Sequence, residues 1–439
     1  MADRYWVGGT GTWNTTSTTV WSASSGGPSG ASVPTAADNV IFDQAATYTV
    51  TMSGALACLN FTVTAGTVTF ASTGSVTVSG DFTLRTGTIW TNSGTLTFNS
   101  TTTQNITTAG TSMGAAIIFN GIGGAWTLVD ALTMPTRILT LTNGTLNMNN
   151  KNVTCSALSC NNSNTRAINF GTGQFYCGAN GATTVNLSTG TNLTLTGSRL
   201  IEATYSGATG TRTLNGPTSA SATADNIPNF KVSAGTDTLT LVNNMQNLDF
   251  TGFAGTLNVG TRAIAGNLTL SSGMTLAAGT NTTTFYGSSG TDTITTNGKT
   301  LDFPITFNGY GVTWQLQDAL TVGSTRTLTL SGGTLSLKAS TTNSAGTFAF
   351  SGSAASPIVL NSTTPGTRAT ISQTTGTVTP TYAYITDSAA TGGATWTGLA
   401  ANNVTDGGNN TGWTFDIPYA GIAVLYGDTL RSFTERRRF

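Results

Sequence analysis

NFTVTAGTVTFASTGSVTVSG (residues 60–80) runs directly into DFTLRTGTIWTNSGTLTFNS (residues 81–100), and the two lines match almost letter for letter. Phe61 falls on Phe82, Gly66 on Gly87, Val68 on Ile89, Gly74 on Gly94 and Val76 on Leu96, with one residue dropped between. The unit is therefore 20 to 21 residues long. Each line holds three short runs in which apolar residues alternate with Thr or Ser, separated by Gly-containing corners. Alternation with a period of two marks a half-buried strand, and Gly supplies the backbone freedom of a tight corner. Three strands per unit predict a triangular coil, and repetition at a fixed short period predicts a solenoid.

The composition supports this reading. Only 8% of the 439 residues are charged, against 38% hydrophobic, and 54 are Gly. Low charge with many strand formers, Thr among them, argues against disorder. The formal net charge is zero, so no global field draws the chain to nucleic acid or an anionic membrane surface. Histidine is absent, which removes the commonest general base and metal ligand. The four cysteines, Cys58, Cys155, Cys160 and Cys177, form no C-x-x-C pair and no zinc spacing. Cys58 and Cys155 lie in apolar runs and read as small buried thiols, while a Cys160–Cys177 disulfide stays open. No run approaches a membrane span, and the opening MADRYWVGG has no basic and apolar segments of a secretory signal.

The whole pattern recurs. Residues 246–340 repeat residues 57–150 at an offset of 186 to 189, and the longest match pairs IIFNGIGGAWTLVDALT (residues 117–133) with ITFNGYGVTWQLQDALT (residues 305–321). Asn120, Trp126 and Asp130 thus return as Asn308, Trp314 and Asp318. Between the copies, residues 156–245 keep the composition but lose the register, which predicts longer corners or side loops. The expected organisation is an N-terminal Trp-rich cap (1–45), a parallel β-helix with three strands per coil of about 21 residues (46–390), an aromatic C-terminal cap (391–416) and a tail (417–439). With coils rising by roughly 4.8 Å, residues 46–390 would build a rod of about 70–80 Å.

Trp6, Trp13 and Trp21 sit among Gly, Thr and Ser. They form either a sugar-binding platform or a hydrophobic lid on the first coil, and the lid is the preferred reading because a repeat stack must close its end against water. Glycoside cleavage needs two carboxyl groups a few ångströms apart. The acids of the repeats argue against it: Asp130 and Asp318 are one repeat position, Asp249 answers Asn60, and Asn267 answers Asp81. A position that accepts Asp or Asn equally reads as a corner hydrogen-bond acceptor. Glu202, Asp225 and Asp237 of the irregular segment have no repeat partner, so an active site, if present, would centre on Glu202 with Arg199 nearby. Tyr176, Tyr205, Trp90 and Tyr310 would stack on sugars if they face outward. In the tail, Tyr419, Leu425 and Tyr426 are candidate oligomer contacts, and Arg436, Arg437 and Arg438 form a short basic end that reads as solvated. No cofactor or metal motif is present, since the GGxGxD calcium repeat and a phosphate-cradling Gly-rich loop followed by Lys are both missing.

The two ends carry a resemblance. RYWVGGTGTWNTT with VWSASSGGPSGASVPTAADNVIFD, and TGGATWTGLAANNVTDGGNNTGWTF near the other end, resemble the ends of β-helical structural proteins of tailed bacteriophages and of related bacterial surface adhesins. The resemblance implies a parallel β-helix, usually right-handed, serving as a fibre, spike or decoration. It also implies other virion proteins of the capsid or tail as partners, a host-surface glycan as a further candidate, and a homotrimer as one assembly open to the chain. No catalytic motif of the degrading spikes carries over residue by residue. A surface adhesin would need a secretion signal or anchor, whereas a virion protein is released by lysis, so the expectation is a non-enzymatic virion protein. The alternatives are a polysaccharide-degrading tailspike and a secreted adhesin.

Overall fold

The computed structural model describes residues 1–181, 183–218 and 227–416. Alternation becomes strand: among the described residues 50% are strand and 1% helix. Asn39–Phe42 pairs with Phe61–Val63, Thr47–Met52 with Thr67–Ser72, and Ala55–Cys58 with Ser75–Val78, all in parallel. Each of these strands thus bonds to the third strand after it, which is three strands to a coil. A parallel pair cannot be closed by a hairpin, so the chain travels round a coil before it meets itself. The fold is a parallel β-solenoid of about 16 turns, as the alternation predicts.

Register follows the sequence overlay with one correction. Phe61 lies opposite Phe82 and Val76 opposite Leu96. Ile89, however, lies opposite Thr69 rather than Val68, and Trp90 opposite Phe70. The dropped residue belongs earlier, at the corner of Gly66 and Gly87, where both glycines have positive φ (73° and 91°). A slip of one residue turns every following side chain to the other face. Ile89 is consequently 47% exposed, while Trp90 is buried.

The chain divides into two compact units, Met1–Arg262 with Gly273–Thr275, and Ala263–Ser272 with Leu276–Phe439. The first unit contains the N-terminal cap, the matched coils and the irregular segment. Asp3–Trp6 pairs in parallel with Asn39–Phe42 and antiparallel with Trp21–Ser22, so on this face of the coil the stack ends in a two-residue antiparallel strand with little free edge. Trp6, Trp13 and Trp21 are buried, with Trp21 5.2 Å from Trp6 and 5.4 Å from Trp13, and Trp6 5.9 Å from Phe42. From there aromatic rings continue coil by coil through Phe42, Phe61 and Phe82 at 5.3 and 5.1 Å. Each such ring contributes about 1.5–3 kcal/mol by leaving water, and ring pairs add about 0.5–1.5 kcal/mol.

In the irregular segment coils continue but lengthen. Arg166 pairs with Leu193, Gln174 with Leu200, and Leu200 with Asn229, so the step between paired strands grows to between 26 and 29 residues. The added residues lie in the corners, as the lost rhythm predicts. The second unit resumes the tighter coil: Thr306 lies opposite Thr329, and Thr313 opposite Thr334. Its far end is closed by Phe348, Trp396, Trp413 and Phe415, with successive ring separations of 5.8, 5.2 and 6.0 Å.

Candidate functional site

The repeated acids act at corners between coils. The Asp130 carboxylate accepts the backbone N–H of Thr108 at 2.8 Å, the Thr108 hydroxyl at 3.1 Å and the backbone N–H of Ala109. Asp318 accepts the N–H of Thr296 at 2.9 Å, its hydroxyl at 3.1 Å and the N–H of Asn297. Ala109 and Asn297 share the same left-handed backbone, each with φ of 49°. Asp81 and Asn267 also do one job: Asp81 Oδ1 accepts the N–H of Asn105 at 2.7 Å, and Asn267 Oδ1 that of Thr293 at 2.6 Å. Only one side-chain oxygen is needed there, which is why Asp and Asn interchange.

Glu202 lies on a strand face that carries one continuous column. Thr133, Thr154, Tyr176, Glu202, Lys231 and Asp249 are in register from coil to coil. Tyr176 and Glu202 are therefore neighbours, as candidates for one site should be. Glu202 is only 9% exposed. Its Oε2 accepts Gln174 Nε2 at 3.3 Å and faces Lys231 Nζ at 3.7 Å. The next acid in the column, Asp249, lies beyond Lys231 and accepts the N–H of Thr251 at 2.8 Å. This is a ladder of alternating charge rather than an acid and a base converging on one bond. Lys231 was not legible as the partner because the coil that carries it is 29 residues long.

Tyr205 does not join that column. Its hydroxyl donates to the Thr209 carbonyl at 2.9 Å, and its ring lies 5.5 Å from the Arg212 guanidinium. That guanidinium makes two bonds to Asp237, at 2.8 and 2.7 Å, both side chains being fully buried, and the Phe253 ring lies 5.6 Å from it. Asp237 is thereby a core counter-ion. Arg166, also buried, donates to the carbonyls of Thr191 at 3.1 Å and Thr189 at 2.6 Å, and to that of Asn164. Burial presses its pKa downward. Arg199 donates to the Ile227 carbonyl at 3.3 Å. Arg166 and Arg212 were not singled out by the sequence, where each stands in a Thr/Asn-rich run.

The aromatic candidates divide by facing. Trp6, Trp13, Trp21 and Trp90 are core and offer no face to a ligand. Tyr310 is 67% exposed, and its counterpart in the first copy, Ile122, is 80% exposed. Both stand at a corner tip ahead of a glycine with positive φ, Gly123 or Gly311. Asp225, Tyr419, Leu425, Tyr426, Arg436, Arg437 and Arg438 lie outside the described residues, as does the whole tail from Ile417.

All four cysteines are free and buried. The sulfur beside Cys177 is that of Cys155, at 3.7 Å, and not that of Cys160. Burial pushes the Cys160 thiol up to about 12. Among the described residues no group of three or more His, Cys, Asp or Glu is placed to hold a metal ion, and no helix is long and apolar enough to cross a membrane. No family model, curated protein or solved structure matches this chain.

Proposed function

We propose that this chain is a non-enzymatic structural component of a phage virion, a fibre, spike or decoration protein, serving virion architecture or attachment to the host surface. The observation that carries this reading is the use of acids at repeated corners. Asp130 and Asp318 each spend both carboxylate oxygens on backbone N–H groups of the adjoining coil, and Asn267 replaces Asp81 without loss of its contact. Side chains committed in this way hold one coil to the next, a structural role rather than a catalytic one. The resemblance of both capping segments to phage β-helical proteins supplies the setting, and the solenoid supplies a stiff, coil-by-coil hydrogen-bonded body suited to it.

The competing reading, glycan cleavage at Glu202, meets a carboxylate already engaged by Gln174 and Lys231. Capsular polysaccharide or lipopolysaccharide of the host, incubated with the protein and sized by gel filtration, should keep its length, with Glu202→Gln indistinguishable from wild type. Shortened glycan that disappears in Glu202→Gln would replace the structural reading with an enzymatic one.

A further inference from the structure

The inward column Met134, Cys155, Cys177, Ala203 is in register across four successive coils. Cys155 and Cys177 are fully buried, and their sulfurs touch at 3.7 Å. They sit on adjacent parallel strands, Val153–Ser159 and Gln174–Cys177, so their Cα atoms are one ladder step apart, about 4.8 Å. That separation falls inside the roughly 4.4–6.8 Å range over which a disulfide closes. Bringing the sulfurs to bonding distance takes side-chain rotation rather than movement of the coils. The column gives room for it: Ala203 on one side is small, and Met134 on the other is unbranched and adapts its shape. Cys160, by contrast, follows the part of its strand that pairs with Val185 and Asn186, and its N–H donates to the Asn186 carbonyl. Its place on the coil is a different one.

We propose that Cys155 and Cys177 are a disulfide site that staples one coil to the next, closed by exchange with a small disulfide such as oxidised glutathione. One cysteine thiolate attacks a sulfur of the small disulfide and expels one small thiolate. The second cysteine, losing its proton, attacks the protein sulfur of the mixed disulfide, forms the Sγ–Sγ bond and expels the second small thiolate. Two protein thiols are oxidised, one small disulfide is reduced to two thiols, and the two protons pass to the expelled thiolates or to solvent. In the folded coil the exchange is slow. The hydrogen bond shared with Cys155 and the burial around it hold the Cys177 thiol protonated, well above the usual thiol range, and the small disulfide has no path in. Closure therefore accompanies folding, before the column is sealed.

The test refolds the full chain from urea in oxidised glutathione, alkylates remaining thiols, and maps peptides without reduction. Chymotrypsin is the protease to use, because cutting after Leu158 separates Cys155 from Cys160, whereas trypsin leaves both between Lys151 and Arg166. The expected result is a Cys155–Cys177 cross-linked pair lighter by two hydrogens, with Cys58 and Cys160 alkylated. The cross-link should persist in Cys160→Ser, and the refolded wild type should show a higher urea midpoint before reduction than after it. Four alkylated cysteines in refolded wild-type protein of native circular dichroism would overturn the proposal, and so would a Cys160–Cys177 link.

Discussion

The Asp130 carboxylate accepts both the backbone N–H and the hydroxyl of Thr108, at 2.8 and 3.1 Å, and its second oxygen takes the N–H of Ala109. Asp81 uses one oxygen on one N–H, that of Asn105. The two aspartates should therefore respond differently to the same substitution. Asp81→Asn should change stability by less than about 0.5 kcal/mol, since the amide oxygen keeps the bond. Asp130→Asn turns an NH₂ group toward the Ala109 N–H and should cost about 2 kcal/mol, nearly as much as Asp130→Ala. Urea unfolding of the three variants checks this, and equal effects of Asp81→Asn and Asp130→Asn would refute the corner assignment.

Gly144 should tolerate no side chain. Its φ is +86°, and a Cβ there would lie 2.6 Å from the Gly124 carbonyl oxygen, 2.7 Å from that of Gly121 and 2.9 Å from the Trp126 ring. Gly333, its counterpart, meets the Gly309 and Val312 carbonyls at 2.9 Å and the Trp314 ring at 3.1 Å. Gly144→Ala should lower stability by at least about 2 kcal/mol, through both the backbone conformation and the contacts. Gly123→Ala, which meets nothing within 4 Å, should carry only the conformational part and cost less. Thermal unfolding of the pair separates the two causes.

The Arg212–Asp237 pair tests whether the lengthened coils are a packed core. Removing one partner leaves a buried charge without its counter-ion, so Asp237→Asn should destabilise by about 3–5 kcal/mol. Replacing both, as Arg212→Met with Asp237→Leu, should recover most of that loss. A small effect of Asp237→Asn would mean that water reaches this pair.

Asp292 supplies a pH dependence. It lies in register with Trp314, and burial lifts its carboxyl from 3.8 to about 6. The folded state thus favours the protonated form: the stabilisation is complete below about pH 4 and is lost as pH rises through about 6. Asp292→Asn should stabilise the chain at pH 7 by about 1 kcal/mol, a figure reduced because water partly screens the group, and should have little effect at pH 4. Unfolding midpoints at the two pH values measure the difference.

Much of the fold was legible because alternation and a 20- to 21-residue unit state both strand and coil directly. The place of the dropped residue was not. A Gly corner absorbs a gap on either side equally well, and only the pairing of Ile89 with Thr69 decides it. The corner role of Asp81 and Asp130 could be read from the duplication, since a repeated or Asn-swapped acid is one that the architecture requires. Lys231 opposite Glu202, Asp237 on Arg212, and Cys155 beside Cys177 could not, because the irregular coils vary in length and sequence spacing there no longer reports distance.

Whether this solenoid belongs to a virion, as proposed, is tested most directly by quantitative mass spectrometry of density-purified particles from lysates of the cells that make the chain, with antibody labelling of the same particles by electron microscopy. A virion component is expected at a fixed copy number per particle, co-sedimenting with capsid or tail proteins and labelled at one recurrent position. Recovery of the chain in the host envelope or the medium, with none on the particles, would contradict it.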